Sequence, residues 1–237
     1  TFKTIGEALS FDGRSIAFWG SWGNNTKQVT LNCPTDGNAS LTAACRTNDT
    51  NGVAGDGIYT FAVPADQGIF VVDIESGAIT MKARTGNGFD DFLFWNFSGA
   101  PDDAGSEDAD QEPPRWRSNA FIAEDDFNTV FKAVNGRGTI GLYGNFGSEL
   151  DDTFTLAEVG MDGGLIDPNA AGMAVTSLGI ERDGFRNGWL AINARMANAD
   201  ASWSGIYITR IPEPSALALA MGALLAAGAT VRRRRKA

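Results

Sequence analysis

An all-β fold is the class this sequence predicts, and three observations predict it. Glycine is abundant, 29 of 237 residues, and aromatic side chains make up 10% of the chain. Turn formers combined with aromatic strand centres suit sheets better than helices. Short apolar runs are divided by Asp-Gly, Ser-Gly and similar turn signals throughout the first 211 residues. A strand–turn–strand pattern followed by Gly-aliphatic-Tyr also recurs three times, as expected of a repeat architecture.

The first unit opens at 8–20, ALSFDGRSIAFWG, where an Asp12-Gly13 turn joins two apolar strands. Gly57-Ile58-Tyr59 comes next, and 68–80 reads as another hairpin around Glu75-Ser76-Gly77. The second unit, 120–133, places Asp125 and Asp126 at its turn and is followed by Gly141-Leu142-Tyr143. The third, 177–184, carries Asp183-Gly184 as its turn, then Trp189-Leu190-Ala191-Ile192 and Gly205-Ile206-Tyr207. All three tyrosines of the chain stand in the Gly-aliphatic-Tyr unit. Four strands per unit is the composition of a propeller blade. The unit spacings are longer than the roughly 40–50 residues of a usual blade. The loop around Cys33 and Cys45 and the acidic stretch at 101–112 account for the first excess. An incomplete propeller is one solution; a β-sandwich built from the same hairpins is the alternative.

Composition narrows the function classes. The formal charge is −10, and five of the 19 basic residues lie at 232–236. The body before them is therefore strongly acidic and repels nucleic acid and anionic lipid. There is no histidine, which removes Ser-His-Asp and Cys-His relays and the usual zinc and non-heme iron ligand sets. No phosphate-cradling glycine loop is present. The expectation is a chain without catalytic residues, metal or cofactor.

The clearest signal is the tail, 212–237, set apart from a β-rich domain at 1–211. Pro212, Glu213 and Pro214 make a rigid, non-helical entry. Ser215 can cap the next segment, and 215–231 runs 17 residues without a charge. At 1.5 Å per residue that predicts a helix of about 25 Å, the lower limit for a transmembrane span. Arg232, Arg233, Arg234, Arg235 and Lys236 then close the chain. By the positive-inside rule they are cytoplasmic and the body lies outside. In an exported chain, Cys33 and Cys45 read as one local disulfide, with a pair of free thiols as the alternative.

Pro-Glu-Pro, an apolar helix and a terminal arginine cluster, in that order, resemble the PEP-CTERM sorting signal. The body resembles the degenerate β-propeller repeats often found ahead of such tails. The first resemblance covers about a tenth of the chain. It implies that exosortase, a membrane transpeptidase-like enzyme of Gram-negative bacteria, recognises Pro212, Glu213 and Pro214 and cleaves nearby. It further implies an inner-membrane intermediate held through 215–231, then delivery to the cell surface or biofilm matrix. A permanent single-pass anchor is the alternative. Such cargo needs an export signal, and the opening TFKTIGEALSFDG has no apolar stretch to supply one.

Other features carry weaker chemistry. The 101–112 stretch holds six acids; it reads as a solvated loop, with calcium binding as the alternative. Asp12, Asp125 and Asp183 read as turn caps. Asp90/Asp91 and Asp151/Asp152 are the carboxylate pairs a glycosidase would need. Trp19, Trp22, Trp95, Trp116, Trp189 and Trp203 predict core packing, with stacking on sugar rings as the functional alternative. Four Asn-x-Ser/Thr sequons, at Asn24, Asn38, Asn48 and Asn96, read as turn composition. The leading expectation is a non-enzymatic surface or matrix module with exopolysaccharide as partner. A carbohydrate-active enzyme using paired carboxylates competes with it.

Overall fold

A computed structural model describes residues 1–32, 58–98 and 115–211. The proposed disulfide, the acidic stretch and the sorting tail lie outside these residues. Within them the chain is built of strands, with no α-helix and only three short 3₁₀ turns. No helix among the described residues is long and apolar enough to cross a membrane.

Three antiparallel sheets make the body. The first has strand order β1 (Thr4–Phe11), β2 (Ser15–Ser21), β5 (Gln67–Asp73), β6 (Ile79–Arg84). Between β2 and β5 the chain leaves the sheet as a ribbon of β3 (Thr26–Asn32) and β4 (Ile58–Pro64). The second sheet has order β10 (Ile122–Asp125), β11 (Asn128–Asn135), β12 (Ile140–Asn145), β13 (Thr153–Glu158), with β7 (Phe89–Asp91) paired to the end of β11. A second ribbon, β8 (Phe94–Ser98) and β9 (Arg115–Asn119), precedes it. The third sheet centres on β16 (Trp189–Ala197). It pairs with β14 (Ala174–Gly179) and β15 (Phe185–Arg186) on one side and β17 (Ser202–Arg210) on the other. The two stretches that lengthen the repeat spacing therefore connect the strands of the two ribbons.

The units align residue by residue on their hairpins. Gly13-Arg14, Asp126-Phe127 and Asn187-Gly188 are the two-residue turns. The third is Asn187-Gly188, not Asp183-Gly184. Asn187 at φ 52° and Gly188 at φ 72° supply the two left-handed residues of a type I′ turn. Asp183 lies instead in a separate turn closed by the Gly184 amide on the Glu181 carbonyl, 2.8 Å. In the second unit Asp126 and Phe127 hold the same left-handed conformation without glycine, at φ 47° and 65°. Counting from the turns, Gly68-Ile69-Phe70, Gly141-Leu142-Tyr143 and Gly205-Ile206-Tyr207 occupy one register on the third strand of each sheet. Gly57-Ile58-Tyr59 is not part of this set: Ile58 and Tyr59 lie on the β3–β4 ribbon. The structural repeat is thus Gly-aliphatic-aromatic, with phenylalanine in the first unit.

The sheets stack in series. Ala17, Trp19, Ile69, Val71 and Ala83 of the first sheet pack on Ile122, Phe131, Ala133 and Tyr143 of the second. The opposite face of the second, with Ala123, Val130, Leu142 and Ala157, packs on Leu178, Leu190, Ala194 and Met196 of the third. Successive residues of a strand point to opposite faces, so the middle sheet alternates between two cores and is apolar on both. Phe89, Phe92, Phe131 and Tyr143 contribute edge-on and tilted ring contacts within the first core.

The three hairpin tips interlock. Asp12 accepts from the amides of Arg14 and Ser15 in its own turn and from the Asp126 amide of the second, all at 2.7 Å. Asp125 accepts from the Gly188 amide of the third at 2.6 Å. Arg186 donates back to the carbonyl of Phe11 at 3.2 Å. Ser10 donates to the Arg182 carbonyl at 2.7 Å and accepts from the Glu124 amide at 3.0 Å. Each unit thus satisfies polar groups in another. Burial raises the Glu124 carboxyl to about 7, and the neighbouring Asp12 adds to the rise. The hydrogen bonds from Ser15 and the Phe127 amide pull the other way.

Candidate functional site

A cleft of about 480 Å³ opens beside the second sheet. Its walls come from three places. The β11–β12 turn supplies Asn135, Gly136 and Arg137; the β7 approach supplies Asn87, Gly88 and Phe89; β13 and the 3₁₀ turn before it supply Asp151, Thr153, Phe154, Thr155 and Glu158.

The turn explains why these groups are held. The Asn135 side-chain oxygen accepts from the amides of Arg137 (2.9 Å) and Thr139 (3.0 Å), which folds the turn back on itself. Gly138, at φ 77°, permits that reversal. The Gly136 amide donates to the Gly88 carbonyl at 2.9 Å and ties the turn to the β7 approach. The Asn135 amide group then donates to Glu158 Oε1 at 2.9 Å.

Glu158 gathers two further donors. Tyr143 donates its hydroxyl to Oε1 at 3.0 Å, and Arg137 bridges to both oxygens at 3.3 and 3.4 Å. Burial pushes the Tyr143 hydroxyl up to about 12, and the hydrogen bond to the Glu158 carboxylate adds to the rise. Tyr143 is therefore a neutral donor throughout the physiological range. Gly141 makes this position available: a Cβ there would meet the Tyr143 hydroxyl at 2.8 Å.

Phe154 also touches the cleft, but its ring turns to the opposite face of the second sheet from Tyr143 and Glu158. Its ring covers Gly144, where a Cβ would lie 2.6 Å from it, and stands edge-on to Phe146 at 4.9 Å. It stays 40% exposed. The cleft thus sets a carboxylate, hydroxyls, an amide and a guanidinium beside Phe89 and Leu150. That set complements a polyhydroxylated ligand that offers both apolar C–H faces and hydrogen-bonding edges.

The carboxylate pairs noted in the sequence separate. Asp151 lines the cleft, whereas Asp152 accepts from the Glu149 amide at 2.9 Å in its own turn. Asp91 pairs with Lys27 at 2.8 Å and caps the Leu93 amide, and Lys27 also reaches the Asp90 carbonyl. Asp12 and Asp125 tie the hairpin tips, and Asp183 meets Arg186 at 3.5 Å. Trp19 is core, donating to Gln67 at 2.9 Å, and Trp22 packs edge-on to Phe70. Trp95 and Trp116 lie on the β8–β9 ribbon. Trp189 and Trp203 are about half exposed, and Trp203 donates to Asp167 at 3.0 Å. Among the described residues lining the cleft there is no tryptophan.

Sequence reasoning missed Asn135, Arg137 and Glu158. The Asn135-Gly136-Arg137-Gly138 turn was the available signal. Its partner Glu158 stands 23 residues on, and only the β11–β12–β13 pairing joins them. Among the described residues no cluster of three metal-ligating side chains occurs. Comparison with protein-family models, curated proteins and solved structures found no match.

Proposed function

We propose that this chain is an exported surface or matrix protein whose β body binds polysaccharide, without turning it over, in the cleft beside Tyr143 and Glu158. The observation that supports binding is the fixed Asn135–Arg137–Tyr143–Glu158 network in the cleft. Preformed polar groups suit a sugar without a large ordering cost. Glu158 Oε1 already accepts from three donors, so it serves as an anchor for the wall rather than as a proton donor to a leaving group. Export and sorting rest on the order of Pro212-Glu213-Pro214, the apolar 215–231 and the basic 232–236. On this reading exosortase processes the chain, and the tail is an address.

The serial packing of three sheets supports reading the body as consecutive propeller-like blades. A two-layer sandwich would leave no sheet apolar on both faces, as the second sheet is here.

A second reading, hydrolysis by paired carboxylates, has one observation in its favour: Asp151 and Glu158 line one cleft. Isothermal titration with bacterial exopolysaccharides, run beside a reducing-end assay, separates the two. Binding that Arg137→Ala weakens about tenfold, with no release of reducing ends, is expected from the loss of about 1.5 kcal/mol of charge-assisted hydrogen bonding. Release of reducing ends that Asp151→Asn abolishes would replace binding by hydrolysis. Mass spectrometry of the surface protein in an exosortase-bearing host tests the sorting arm. Loss of the tail near Pro212 is expected, and an intact 232–236 would refute it.

A further inference from the structure

The first and second sheets each carry a fourth strand beyond the Gly-aliphatic-aromatic strand, β6 and β13. No described strand takes that place beside β17 in the third sheet. The glycine of the repeat shows what the place is shaped for. A Cβ on Gly68 would meet the Ala83 carbonyl oxygen of β6 at 2.4 Å, and one on Gly141 the Ala157 carbonyl oxygen of β13 at 2.8 Å. In both sheets the fourth strand kinks at the next step, with a register shift after Ile69 and after Leu142. Gly205 stands in the same register, opposite Ala194 as Gly141 is opposite Ala133. A Cβ there would meet the Tyr207 hydroxyl at 2.9 Å, as one on Gly141 would meet that of Tyr143, so β17 repeats the local geometry of a strand that carries a fourth.

Among the described residues the β17 edge is also unguarded. β6 carries Lys82 and Arg84, and β13 ends in Glu158; both belong to bulged pairs. Charges and bulges of this kind blunt an edge against further pairing. β17 instead runs nine residues against β16 in unbroken register, without lysine or proline, and its one charge is the terminal Arg210. Ile206 is 77% and Ile208 67% exposed. The chain's own continuation is a poor occupant. Residues 212 and 214 are prolines, which lack the amide a paired strand donates.

We propose that the β17 of a second copy fills this edge, antiparallel across a two-fold axis at Ile206, so that two third sheets join into one. The strand is self-complementary in that register. Gly205 faces the partner's Tyr207, Ser204 faces the partner's Ile208, and Arg210 faces the partner's Ser202, so no like charges oppose. The isoleucines of both copies meet at the axis and leave water. Two-fold closure is the commonest arrangement for identical chains.

Sedimentation equilibrium of the full chain, in micelles that accommodate the apolar 215–231, tests this. Two chains per particle are expected. Ile206→Lys, which opposes two charges on the axis and removes two buried side chains, is expected to weaken the dimer roughly 100-fold. Ile79→Lys, on the outer face of the first sheet, is expected to leave it intact. A wild-type chain that stays single, or a dimer indifferent to Ile206→Lys, overturns the proposal. Amide exchange on the wild type gives a reading independent of any variant. The β17 amides that face away from β16 should gain protection as concentration rises. Free exchange at every concentration would equally overturn it.

Discussion

Glu124→Gln is expected to abolish a pH dependence of stability that this one carboxyl imposes on the fold. Glu124 lies where the first two hairpin tips meet, 1% exposed. Its Oε1 accepts from the Ser15 hydroxyl and from the Phe127 amide, while Oε2 has no donor facing it. Burial lifts the group from its ordinary 4.5 to about 7. The unfolded chain releases the proton near pH 4.5, but the folded chain keeps it until about pH 7. Between these values the folded state binds more protons, so stability falls as pH rises. The contribution is whole below pH 4.5 and gone above about pH 7. A gap of about 2.5 pH units at 1.36 kcal/mol each gives roughly 3 kcal/mol. The chain has no histidine, so no other side chain ordinarily titrates in this window. Urea unfolding at about pH 5.0, 6.0, 7.0 and 7.5 measures the effect. The wild type should lose about 2–3 kcal/mol across the series. Glu124→Gln should be flat, and should exceed the wild type at about pH 7.5 while matching it near pH 5. A wild type equally stable at both ends, or a variant with the same slope, would refute the reasoning.

Two more expected outcomes rest on single contacts. Asp12→Ala strips the acceptor from three amides, those of Arg14, Ser15 and Asp126. It should cost about 2–4 kcal/mol in denaturant unfolding, with Asp12→Asn intermediate because it retains one oxygen. Gly141→Ala places a methyl against both the Ala157 carbonyl and the Tyr143 hydroxyl. It should destabilise the chain by about 1–3 kcal/mol and weaken any ligand held in the cleft, because Tyr143 is displaced from Glu158; thermal unfolding and titration calorimetry check the two effects. Arg137→Ala addresses the cleft and Ile206→Lys the open edge, so that failure of one leaves the other standing.

Much of the fold is legible in the sequence because its signals are local. The Asp12-Gly13 turn and the 120–133 hairpin stand out as turn residues between apolar runs. The Asn187-Gly188 turn carries an equally strong signal, but Asp183-Gly184 nearby imitates the first unit's Asp-Gly and masks it. The repeat on the third strand is disguised for a related reason. Gly57-Ile58-Tyr59 matches the other two in letters, whereas Gly68-Ile69-Phe70 matches them in register. Register is set by pairing with a strand up to about 50 residues away, and no local pattern encodes it.

The sequence by itself determined the class: alternating apolar and polar residues punctuated by turn formers have few ways to bury their apolar side except as antiparallel sheets. It also determined the acidic charge, the absence of histidine chemistry and the three-part order of the 212–237 tail, since these are matters of composition and sequence order. The tertiary structure decided what the strands do to one another. Only stacking on both sides explains why the second sheet is apolar on two faces. Only the meeting of the hairpin tips makes Glu124 a group that titrates near neutrality. The cleft likewise exists because three-strand pairing carries Glu158 to Asn135, Arg137 and Tyr143. The physical reason is common to all three. A side chain's alternation along its strand is local, but its solvation and its partners are properties of the neighbours that packing brings to it.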